Sequence, residues 1–72
     1  MMNSRLDAGA EMARMRKEKK MTQAELANAL GVSQRMVAAC ELGERKPSVK
    51  LAQKIETELG LSWTIFYEGG LE

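Results

Sequence analysis

The feature that most constrains this chain is a pair of helix start and stop signals set one tight turn apart. Thr22-Gln23-Ala24-Glu25 reads as a capping box. The threonine hydroxyl accepts from the third helical amide, and the glutamate reaches back to the threonine amide. The helix it opens carries Leu26, Ala27 and Leu30 inward at helical spacing. Gly31 ends it, because glycine takes the left-handed backbone without steric cost. Val32 is an apolar plug in the turn. Ser33 caps a further helix from Gln34 to about Glu41 or Leu42, with Val37 and Cys40 facing the core.

The same punctuation extends outward in both directions. Ser4 caps a first helix running to about Lys19, with a stripe of Met12, Met15 and either Ala8 or Ala13. Arg14, Lys17 and Glu18 lie off that stripe, and Lys20-Met21 is a short connection. After a stop at Gly43, Glu44-Arg45-Lys46-Pro47 forms a polar loop. Ser48 caps a fourth helix to about Leu59, with Leu51, Ile55 and Leu59 on one face. Gly60 closes it, and Ser62 caps a short fifth helix holding Trp63, Ile65, Phe66 and Tyr67. No strand pattern or internal repeat interrupts the series. The expectation is an all-α fold of five short helices over residues 5–68, after a frayed start at 1–4 and before a flexible tail at 69–72.

Composition narrows the function. A chain of 72 residues makes one small domain, whose core supplies only about 3–5 kcal/mol. The single cysteine excludes an internal disulfide, and the absence of histidine removes both the usual general base and a Cys/His metal site. No enzyme activity, metal or cofactor is expected. Cys40 is read as a small core residue, and Met12, Met15 and Met21 as packing. No apolar run approaches the roughly 20 residues of a membrane span, and Met1 to Leu6 does not resemble a signal peptide, so a cytoplasmic protein is expected. Net charge is only +1, but it is unevenly spread. Residues 1–54 carry all eleven Lys and Arg against six acids, a net of +5; residues 55–72 carry four acids and no base. A phosphate backbone attracts the first part and repels the second.

Two short helices joined by Gly31-Val32-Ser33 have the spacing of a helix-turn-helix, whose second helix fits the DNA major groove. From Met12 to Phe66 the chain resembles the Cro and phage-repressor (XRE) family. The likeness rests on Met12, Met15 and Arg16, on Met21-Thr22-Gln23-Ala24-Glu25-Leu26-Ala27, and on Leu30-Gly31-Val32-Ser33. It continues in register through Val37, Glu41, Gly43, Arg45-Lys46-Pro47-Ser48, Leu51, Lys54, Ile55, Leu59-Gly60-Leu61-Ser62 and Phe66. It covers about three quarters of the chain and implies a five-helix, lambda-repressor-like DNA-binding fold.

The resemblance also implies roles. Gln34 and Arg35 would read base edges, glutamine on adenine and arginine on guanine. Gln23 would touch a phosphate and brace the recognition helix, or else stand as a solvated first-turn residue. Ser33 would cap its helix and touch a phosphate, or cap alone. Arg45 and Lys46 would grip phosphates beside the recognition helix rather than stay solvated. Arg16 and Glu41 would form a salt bridge between the first and third helices. Met36, Ala38 and Ala39 depart from the polar or basic residues usual there. Three readings stay open for them: Met36 covers thymine methyls while the alanines allow close approach, they do little and DNA shape carries specificity, or they form a protein contact. Lys50 is a weaker candidate for the same phosphate contact as Arg45 and Lys46, and Lys17 to Lys20 is read as a solvated helix end.

The expected activity is sequence-specific binding of double-stranded DNA by a small transcriptional regulator, a repressor on a palindromic operator. Homodimerisation through Leu61, Trp63, Ile65, Phe66 and Tyr67 would double the phosphate contacts, with at least one of Trp63 and Phe66 in the core. No small-molecule ligand is expected. The rival is a protein-interaction module with the same fold, favoured by the near-neutral charge and the two alanines. Gln23, Gln34, Arg35, Arg45 and Lys46 on one expected face speak against it.

Overall fold

Caps, more than long apolar periods, determine where these helices begin and end. The computed structural model of the chain describes residues 4–67, with side chains from Ala8 onward. Four α-helices follow one another: α1 (Ser4–Glu18), α2 (Gln23–Leu30), α3 (Gln34–Glu41) and α4 (Val49–Leu59). A 3-10 turn, Trp63–Phe66, completes the order, and no strand occurs among the described residues. The start at residues 1–3 and the tail at 69–72 lie outside the described residues. Ser4 is the first residue of α1 rather than its cap.

Thr22 makes the full capping box: its Oγ1 accepts from the Glu25 amide at 3.0 Å, and Glu25 Oε1 accepts from the Thr22 amide at 2.8 Å. Ser33 and Ser48 cap α3 and α4 by accepting from the Met36 and Leu51 amides at 3.0 and 3.1 Å. Each such cap is worth about 1 kcal/mol. The α2–α3 reversal turns on Gly31 at φ 74°, and the Val32 amide donates back to Ala27 at 3.0 Å. A similar left-handed stop ends α1, but there it is taken by Lys20 at φ 60°.

The expected fifth helix is corrected. Ser62 makes no capping bond; its hydroxyl pairs instead with that of Thr64 at 2.8 Å. Without a cap, and with four residues to use, the segment closes as a 3-10 turn.

One core joins all the elements. Ala8 and Met12 enter from α1, Leu26, Ala27 and Leu30 from α2, and Val37 and Cys40 from α3. From α4 the buried set is Ala52, Ile55 and Leu59; Leu51 lies half-buried at the edge. Leu61 and Phe66 are also in this core, 8% and 3% exposed. Phe66 is thus the core member expected of the Trp63 and Phe66 pair, while the burial of Leu61 corrects its expected place on a dimer patch. Trp63, Ile65 and Tyr67 are half-buried against the core. Among the described residues the large apolar side chains in the open are Leu42 and Val49, which flank the α3–α4 loop. Among the described residues no helix is long and apolar enough to cross a membrane.

Gly9 is a packing device with no obvious sequence signal. A Cβ there would stand 2.5 Å from the carbonyl oxygens of both Cys40 and Glu41. Only glycine lets α1 come this close to the end of α3.

Cys40 is buried, with Sγ 3.9 Å from Met36 Sδ. Burial pushes its thiol above the ordinary range, against the lowering influence of Arg45 and with a further rise from Glu41. A disulfide reagent at about pH 8 is therefore expected to label the native protein slowly and the urea-unfolded chain at once. Rapid native labelling would show that α3 opens readily.

Candidate nucleic-acid interface

A buried ion pair links the helices that would meet DNA. Arg16 Nε donates to Glu41 Oε2 at 2.6 Å, and Arg16 Nη2 to Glu41 Oε1 at 3.3 Å. The two side chains keep 10% and 6% of their exposure. Arg16 Nη1 also donates to the Met21 carbonyl at 2.7 Å, tying the α1–α2 connection into the same site. Gln23 Nε2 adds a third donor to Glu41, at 3.0 Å from Oε1. A carboxylate only accepts, so the amide nitrogen must face it. The junction thus links α1, α2 and α3 through one carboxylate at the C-terminal end of α3.

The opposite end of α3 is open. Ser33, Gln34 and Arg35 are exposed, while Met36, Ala38 and Ala39 are half-buried. Met36 is therefore not the wholly outward side chain its position suggests; it leans toward Cys40 and the core. Ser33, Arg35, Met36 and Ala39 line a cleft of about 300 Å³ with Glu44 and Arg45 from the following loop. Its lining combines the apolar Met36 and Ala39 with two guanidinium-bearing residues, Arg35 and Arg45. The structure brings Ser33, Arg35, Met36, Ala39 and Arg45 together there. Gln34 is exposed on the same first turn but outside the cleft lining, and Gln23 belongs to the ion-pair junction. Glu44 puts an acid among the bases, a neighbour that sequence reasoning does not single out.

The loop after α3 is held from two sides. The Glu44 and Arg45 amides both donate to the Ala39 carbonyl, at 2.9 and 3.3 Å. At the other end the Tyr67 hydroxyl donates to the Pro47 carbonyl, and Lys46 Nζ lies 4.8 Å from the Tyr67 ring centroid. Trp63 meets Tyr67 edge to face at 5.7 Å and 73°. Lys46 thus rests on an aromatic ring 21 positions along the chain, which no local pattern announces.

A family model described as helix-turn-helix matches residues 12–66, spanning α2, the turn and α3 as well as their supports. The chain belongs to the helix-turn-helix family. Its Cro and phage-repressor (XRE) character, implied by the motif series, stands with that match. Among relatives of this helix-turn-helix protein, the uncharacterized HTH-type transcriptional regulator YqaF of Bacillus subtilis (strain 168) is 45% identical over 53 residues. That stretch covers 74% of this chain and 70% of the relative. The uncharacterized HTH-type transcriptional regulator y4dJ of Sinorhizobium fredii (strain NBRC 101917 / NGR234) is 36% identical over 61 residues, covering 85% and 79% respectively.

Proposed function

We propose that this helix-turn-helix protein is a cytoplasmic, sequence-specific transcriptional repressor that lays α3 in the major groove of double-stranded DNA. The observation that carries this is the cleft beside α3, whose lining joins Ser33, Met36 and Ala39 with the bases Arg35 and Arg45. Gln34 and Arg35, on the first turn, are the base readers; Met36 and Ala39 supply an apolar surface suited to a thymine methyl. Ser33, Arg45 and Lys46 hold phosphates. The Ser33 hydroxyl accepts within its cap, so its hydrogen remains to donate outward. Gln23 keeps a second amide hydrogen for a phosphate while the first holds Glu41.

The proposed assembly is a homodimer on a palindromic operator, with half-sites about one helical turn apart. Trp63 and Ile65 keep partial exposure for such a contact, whereas Leu61 and Phe66 are committed to the core. The test is selection from a random duplex library at about 100 mM salt, where non-specific phosphate binding is already weakened. A palindromic consensus is expected. A lone half-site would keep the DNA-binding function and remove the dimer. No enrichment by folded protein would favour the interaction module, for which exposed Leu42 and Val49 offer apolar contacts.

A further inference from the structure

We propose that Tyr67 is a positioning residue for the phosphate-binding loop: it holds Lys46 and Pro47 where Lys46 can meet the DNA backbone, a role that rests on the DNA-binding reading above. The loop 44–47 leaves α3 well anchored, since the Glu44 and Arg45 amides both return to the Ala39 carbonyl. Its second half cannot be anchored at Pro47 by an amide hydrogen, because proline has none. The Pro47 carbonyl is held instead by the Tyr67 hydroxyl.

The same ring carries the Lys46 ammonium at 4.8 Å, within the reach of a cation–π contact. Tyr67 is in turn fixed by its edge-to-face contact with Trp63 and by its own amide, which donates to the Thr64 carbonyl at 2.9 Å. A lysine stem has many rotamers, and ordering it on binding costs affinity. A side chain already resting on a ring loses fewer of them. The 3-10 turn thereby acts as a brace under a loop that would face DNA, and the Tyr67 ring is engaged within the monomer.

The test uses the full chain and a mixed-sequence duplex of about two helical turns, because the phosphate grip does not depend on sequence. Affinity is measured from about 20 to about 200 mM salt for wild type, Lys46→Gln, Tyr67→Leu and the double variant. Losing one phosphate contact should make the slope of log K against log salt shallower by about 0.9. Lys46→Gln is expected to show that change with a loss of about 3–10-fold in affinity. Tyr67→Leu should show the same kind of change, and the double variant should lose little more than Lys46→Gln alone.

A purely structural tyrosine would leave the salt slope untouched, and its effect would add in full to that of Lys46→Gln; either result overturns the proposal. An unchanged slope in Lys46→Gln overturns it as well, since there would be no contact to position. Wild type that binds no duplex at any salt would instead remove the DNA-binding reading itself. Far-UV circular dichroism confirms folding at the working temperature. Should Tyr67→Leu not fold, Tyr67→Phe decides. It keeps the ring under Lys46 but frees the Pro47 carbonyl, and is expected to weaken binding about 2–5-fold. No change in Tyr67→Phe would then overturn the proposal.

Discussion

Glu41→Ala is expected to cost about 3–5 kcal/mol of stability, most of what a domain this small possesses. The variant removes the acceptor for two Arg16 donors and one Gln23 donor at once. Arg16 would remain a buried cation with only the Met21 carbonyl as partner. The penalty is the uncompensated charge rather than the worth of the pair, so removing both members should hurt less than removing one. An Arg16→Met, Glu41→Leu double variant is accordingly expected to melt above either single one. For 60–100 residues each kcal/mol shifts the midpoint by roughly 4–8 °C, so thermal unfolding followed by circular dichroism resolves this easily. If Glu41→Ala melts within a few degrees of the parent, the junction is not what fixes α3.

Gly9→Ala should also destabilise, and the sign is the informative part. In an exposed helix interior, replacing glycine by alanine gains about 1 kcal/mol. Here the added methyl would meet two backbone carbonyls at 2.5 Å, and backbone cannot swing aside as a side chain can. Overpacking of this kind costs typically 1–3 kcal/mol, so a thermal midpoint several degrees lower, and a lower urea midpoint, are expected. Because the obstructed atoms belong to Cys40 and Glu41, α3 itself would have to shift. Duplex affinity should therefore fall even where the variant is fully folded. A Gly9→Ala protein more stable than the parent would mean that α1 and α3 are not in such close contact.

Legibility in the sequence follows the range of each interaction. Thr22, Ser33 and Ser48 are legible as caps because each bonds an amide three residues away. Leu26, Ala27, Leu30, Val37 and Cys40 are legible as core because helical period alone turns them inward. Ala52 is less so: beside Leu51, a small residue carries little weight in an apolar count, yet Ala52 is the one fully buried. Ser62 looks like the other capping serines, but only four residues follow it before Tyr67, and its hydroxyl finds Thr64 instead. The pairing of residues 16 and 41 has no local pattern and comes from family resemblance alone. Gly9 and Tyr67 act across 31 and 20 positions on partners that are backbone carbonyls. Every residue has such a carbonyl, so no residue type betrays the contact.

The arrangement of α3 has an evolutionary corollary. Its far end is bolted down by Glu41 and crowded by Gly9, while Gln34 and Arg35 at the near end are exposed and contribute nothing to the buried core. On the proposed reading, in which Gln34 and Arg35 read bases, target preference and fold integrity are written in different codons of one short helix. Descendants of such a gene could then try new pairs at those two exposed positions without passing through an unfolded ancestor, and recognition would drift while the frame that presents it stays fixed.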